Sequence, residues 1–181
     1  YFGKLNIGKL EMSNQMFKYF IFFFALLLFF SGCATKVPSP GIIISTENQR
    51  GEVFGSYSWK KTLKEYVDFK GRTAFKKLVS DHVDLLFYLD YIAKTSPQIK
   101  PQSFPDRKHK LAFYINSYNA LAMYGVVYHK IPRDFNRFID RAQFFKFTEY
   151  NIGGKHISLY DYENKIIRPM GDPRVHFALN C

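Results

Sequence analysis

The stretch from Leu111 to Tyr128, LAFYINSYNALAMYGVVY, constrains this chain more than any other feature. It is apolar nearly all round, and a helix without a polar face has to be enclosed on every side. The pattern therefore predicts a central helix on which the rest of the domain packs, with Pro132 following its end. Asn116 and Asn119 interrupt it three residues apart, on one helical face. Asn is a poor residue for a helix interior, and a buried amide left without partners costs roughly 1–3 kcal/mol. Two readings are open: the pair holds the backbone of an adjacent loop or strand, or it lines a polar cleft.

Upstream, Trp59, Leu63, Tyr66 and Val67 recur at helical spacing among Lys60, Lys61 and Lys64, an amphipathic helix. Gly71 breaks it, and Phe75, Leu78 and Val79 open another apolar stripe. A third helix is expected over about 81–93, carrying Leu85, Leu86, Leu89 and Ile92. Pro97, Pro101 and Pro105 make 94–106 a loop. Downstream, 144–152 reads as a strand, Gly153-Gly154 as a tight turn and 155–158 as the return strand. Ser158 and Asp161 have the spacing of a helix start, with Pro169 as its stop. Residues 174–181, RVHFALNC, read as a buried closing strand. The predicted class is α+β: a helical N-terminal half with a buried central helix, then a small sheet made of the hairpin and the closing strand.

The front of the chain addresses location. Met16 to Cys33, MFKYFIFFFALLLFFSGC, has a lysine near its start, a short apolar core and small residues before a cysteine. That is the layout of a secretory signal. A spanning helix needs about 20 apolar residues, more than this run supplies. Ser31-Gly32-Cys33 resembles the lipobox of bacterial lipoproteins, with Phe30 where leucine is usual, so Cys33 is the expected lipidation site. Ala34, not aspartate, follows Cys33, which points to the outer membrane facing the periplasm. Residues 1–15 read as upstream translation, 16–32 as signal peptide, 33–55 as anchor and tether, and 56–181 as one domain cut at its C-terminal end.

The chain has a formal charge of +11; residues 1–32 hold three basic and one acidic residue, so the remainder carries +9. Such a charge suits anionic envelope surfaces, and an exported domain has no nucleic acid to meet. An aromatic content of 19% argues for a packed core over disorder.

Cys33 and Cys181 are the two cysteines. With Cys33 lipidated, Cys181 is either a nucleophile activated by a histidine or a disulfide partner or buried thiol. His176 is the candidate base. In a strand, however, residues 176 and 181 face opposite ways and lie about 16 Å apart, so a dyad needs a turn at Asn180 or another histidine, such as His109 or His156. Glu163 and Arg174 are candidates for an ion pair between the last helix and the closing strand, or for ligand contacts. The five histidines show no metal-binding spacing, and neither a Gly-rich phosphate loop nor G-x-S-x-G is present, so no metal or cofactor is assigned.

Three blocks together are similar to the domain-of-unknown-function family 547: Leu111–Leu121 (LAFYINSYNAL against the family's LAFWINAYNAL), Gly153–Leu159 with Glu163, and Asp172–Cys181. Tyr114 stands for the usual Trp and Ser117 for the usual Ala. A second cysteine generally follows the position of Cys181 in that family. The resemblance implies a common fold unit and a site region among these blocks, and no reaction. Two classes stay open: a lipid-anchored, cysteine- or histidine-dependent hydrolase or transferase, and a non-catalytic binding module in which Asn116, Asn119, His176 and Arg174 line a groove.

Overall fold

A computed structural model of the protein describes residues 16–19, 34–39, 50–130 and 137–180. The chain divides into two compact units, Tyr1–Cys33 and Ala34–Cys181. In the first, residues 16–19 are helical; the rest of the expected signal and Cys33 lie outside the described residues. Among the described residues no helix is long and apolar enough to cross a membrane.

The second unit begins with helices α1 (Arg50–Tyr66), α2 (Phe75–Ser80), α3 (Val83–Lys94) and α4 (Arg107–Tyr128). α1 turns Trp59 and Tyr66 inward and its lysines outward, as its periodicity dictates. The Trp59 ring stacks on Tyr88 of α3 at 5.2 Å. The proline-dense loop between α3 and α4 manages only a 3₁₀ turn, Pro101–Ser103.

α4 is the central helix. Asp106 caps it by accepting from the His109 amide at 2.9 Å. Phe113, Tyr114, Ser117, Tyr118, Ala120–Met123 and Gly125 are buried along it. Its enclosure is incomplete, since Ala112 and Tyr128 reach solvent. Gly125 lets the helix pack tightly beside the sheet: a Cβ there would lie 2.4 Å from the Tyr150 hydroxyl and 2.9 Å from the Phe144 ring.

The sheet is small and mixed: β1 (Thr35–Lys36), β2 (Thr148–Ile152) and β3 (Lys155–Ser158) lie in that order. β2 and β3 form the expected antiparallel hairpin. Gly153 and Gly154 both have positive φ, 56° and 77°, the requirement of the turn that suits strand twist. Their amides donate to the carbonyls of Ile92 and Ala93, so the hairpin turn also satisfies the C-terminal end of α3. Helix α6 (Leu159–Asp161) comes directly after β3, and Ser158 caps it by accepting from the Asp161 amide at 3.1 Å. It continues as a π-helical turn, Tyr162–Ile167, and a 3₁₀ turn, Arg168–Met170.

The α+β class stands, a helical half followed by a small sheet. Three elements differ from expectation. Residues 144 and 145 belong to a helix, α5 (Phe138–Phe145), and only Thr148 onward is strand. The closing segment is no strand: Val175–Ala178 is a helical turn, α7. Val175 and Leu179 are buried four residues apart, while His176, Phe177 and Ala178 are exposed. Asp172 starts that turn by accepting from the Arg174 amide at 3.1 Å. The third strand comes instead from β1 (Thr35–Lys36), within the stretch read as a tether, which pairs in parallel with Thr148 and Glu149 and leads into buried Val37.

Candidate functional site

The family-like blocks converge on one flank of α4. Asn119 uses both ends of its amide on the closing segment: Nδ2 donates to the Ala178 carbonyl and Oδ1 accepts from the Asn180 amide, both at 2.9 Å. It thus clamps the backbone on either side of Leu179, one residue short of Cys181. Cys181 itself lies outside the described residues. Asn116, half-buried, has no side-chain hydrogen bond among the described residues. The two amides of one helical face therefore differ: one anchors backbone and the other is available.

Glu163 stands in the π-helical turn, a wide helical geometry frequent at functional sites. Its Oε1 accepts from Nε and Nη2 of Arg168, at 2.9 and 2.6 Å, and the Tyr118 hydroxyl on α4 donates to Oε2 at 3.4 Å. The expected pairing of Glu163 with Arg174 is thereby corrected. Arg174 grips Asp172 in bidentate fashion, at 2.9 and 2.7 Å. The reason is local geometry: each carboxylate finds a guanidinium within five residues of its own chain, Asp172 across a turn and Glu163 across the π bend. Hydrogen bonds from Arg174 hold the Asp172 carboxyl down at about 2. Arg107, opening α4, also donates to the Met170 carbonyl.

Next to Glu163, the buried Tyr162 hydroxyl meets Ser117 Oγ at 2.7 Å, and burial raises its pKa well above the usual tyrosine value. Ser117 also donates toward the Phe113 carbonyl at 2.7 Å. Tyr114 packs edge-on against Tyr162 at 5.9 Å and accepts from Gln98 at 2.9 Å. Tyr114 and Ser117, the two departures from the family-like helix motif, thus both contact the same tyrosine.

His176 is exposed on α7, its ring edge-on to Phe177 at 5.6 Å. It is not the apolar-strand histidine that the sequence suggested, and the opposite-face argument for residues 176 and 181 lapses with the strand. Of the alternatives, His109 is exposed and paired with Asp106 at 2.9 Å, and His156 is exposed on β3. Among the described residues no group of three or more His, Cys, Asp or Glu could hold a metal ion.

An open cleft of about 540 Å³ lies beside Glu163, walled by α5 and the start of α6. Phe138, Ala142 and Phe145 recur along one face of α5, with Arg141 between them, and Lys146 and Tyr160 complete the lining. The Lys146 ammonium sits 4.5 Å from the centre of the Tyr160 ring. Sequence reasoning named Glu163 here and missed the other lining residues, along with Arg168 and Tyr118. The helical spacing of Phe138, Ala142 and Phe145 was the available signal, obscured by reading 144 onward as a strand.

The fold and this flank define an α+β domain whose central helix, π turn and closing helical turn meet at one corner. Residues 101–181 match the family model described as Protein of unknown function, DUF547, which supports a domain of that family over this segment. No curated protein and no solved structure matches the chain.

Proposed function

We propose that this is a ligand-binding domain of the bacterial cell envelope, held at the membrane through a lipid on Cys33. The observation that carries the binding reading is the cleft of about 540 Å³ beside Glu163. Its size falls within the range of small-molecule sites, and it combines apolar walls with a few convergent charged groups. Glu163, held by Arg168 and Tyr118, forms a fixed wall behind it that needs no reordering when a ligand enters. Ala142 is the small residue of that lining. Ala142→Trp should fill the cleft and abolish every ligand-induced thermal shift seen with the parent chain in a small-molecule screen. Shifts that persist in the filled variant would refute a binding role for this cleft.

The anchor rests on the Met16–Cys33 pattern and on the positive charge of residues 33–181. Chains fed an alkyne fatty acid should become labelled and sediment with outer membranes. Cys33→Ser should lose both properties. Membrane retention of that variant after signal cleavage would defeat the lipid anchor.

One observation favours a second reading, a cysteine-dependent hydrolase or transferase: the Asn119 clamp orders the backbone that leads directly into Cys181. A nucleophilic cysteine reacts through its thiolate, so Cys181 should then alkylate with iodoacetamide well below the ordinary thiol pKa of about 8.5. Ordinary alkylation kinetics, or a disulfide at Cys181, would exclude it.

A further inference from the structure

We infer that the cleft takes a soluble organic anion, a phosphate or carboxylate joined to a ring-sized apolar body, with the anion seated between Arg141 and Lys146. The inference rests on the binding reading and adds the ligand's charge and shape. Among the described residues, three charged side chains line the cleft: Arg141, Lys146 and Glu163. Glu163 is already neutralised from behind, since its Oε1 is taken by two Arg168 nitrogens and its Oε2 by the Tyr118 hydroxyl. Its side chain is only 12% exposed, so a ligand meets little of it.

The two cations are in the opposite condition. Neither Arg141 nor Lys146 has a carboxylate partner among the described residues. Asp140, beside Arg141, is engaged by Arg137 at 3.7 Å. Lys146 rests on the face of Tyr160, a contact that leaves its protons free to donate. Lys146 is also the C-cap residue of α5, a position where the helix dipole favours a cation. The cleft therefore presents two uncommitted positive charges over a floor of Phe138, Ala142 and Phe145, beside the Tyr160 ring. An inorganic ion would leave the aromatic walls wet, and a neutral ring would leave the cations unused. A ligand carrying both parts satisfies both.

Isothermal titration of the full chain with 2-naphthyl phosphate, 2-naphthol and inorganic phosphate tests this. Naphthyl phosphate should bind at least about tenfold more tightly than either half alone, the scale of one charge-assisted hydrogen bond partly screened by water. Arg141→Gln and Lys146→Gln should each weaken it about tenfold, with unchanged thermal midpoints, because both side chains stand at the surface. Naphthol binding as tightly as its phosphate, and indifferent to both substitutions, would overturn the anion while leaving the cleft a binding site. No binding by any of the three would count against the cleft itself. Displacement of naphthyl phosphate by phosphatidylglycerol vesicles, and not by phosphatidylcholine vesicles, would assign the anion to a lipid headgroup and overturn the soluble ligand.

Discussion

Replacing Asn119 by alanine removes both bonds that hold the closing segment to α4, the one to the Ala178 carbonyl and the one from the Asn180 amide. A neutral hydrogen bond contributes a net of about 0.5–1.5 kcal/mol, so the pair together is worth about 1–3 kcal/mol. Asn119 is only half-buried, which places the expectation near 2 kcal/mol, because water can partly replace the lost partners. Val175 and Leu179 keep their buried contacts in the variant, so the loss should fall mainly on local opening of the last residues. Amide exchange reads this directly. The Asn180 amide, whose acceptor is Asn119 Oδ1, should exchange roughly 30-fold faster, the equivalent of 2 kcal/mol. Asn119→Asp keeps that acceptor and loses only the donor to the Ala178 carbonyl, so the Asn180 amide should stay better protected in that variant than in Asn119→Ala. A thermal midpoint lowered by up to about 8 °C is the accompanying global signal for a domain of this size. If Asn180 exchange is the same in parent and Asn119→Ala, the clamp has no energetic content and the reasoning fails.

Gly125→Ala should destabilise by about 1–3 kcal/mol, since the new methyl would sit 2.4 Å from the Tyr150 hydroxyl; an unchanged melting curve would show that the sheet yields without cost. Ser117→Ala leaves the buried Tyr162 hydroxyl without its partner and should cost about 1–3 kcal/mol in urea unfolding. Adding Tyr162→Phe should recover most of that loss, and a double variant no better than Ser117→Ala would break the proposed coupling. Asp172 has a depressed carboxyl pKa of about 2, so it binds a proton less readily folded than unfolded, and its contribution is present above pH about 4 and lost as pH falls toward 2. Asp172→Asn should therefore flatten the stability profile across that window, and parallel profiles for parent and variant would contradict the Arg174 pairing.

Local rules made much of this protein readable without coordinates. The apolar run at Leu111–Tyr128 is the central helix because burial on nearly every side leaves a helix no need of a polar face. Gly153-Gly154 is a hairpin turn because two successive positive φ angles are costly for other residues. Ser158 caps the helix that its spacing to Asp161 announces. Such features depend on neighbours within a few residues, and the sequence contains those neighbours.

What the sequence left undecided depends on partners far along the chain. Eight residues from Arg174 to Cys181 satisfy strand and helix patterns almost equally, and short apolar runs carry no period long enough to separate them. Asp172 capping the turn, Asn119 reaching from α4 and burial of Val175 with Leu179 decide for a helical turn, which also carries His176 to the surface. Thr35–Lys36 looks like tether by composition and becomes strand only because the free edge of β2 offers it hydrogen bonds. The sequence pointed Glu163 to Arg174, eleven residues away, but the π turn brings Arg168 round to it and Asp172 takes Arg174 first. The cleft is the same kind of result. Its walls come from α5 and α6, separated by the whole hairpin, and packing alone sets Arg141, Lys146 and Tyr160 beside Glu163.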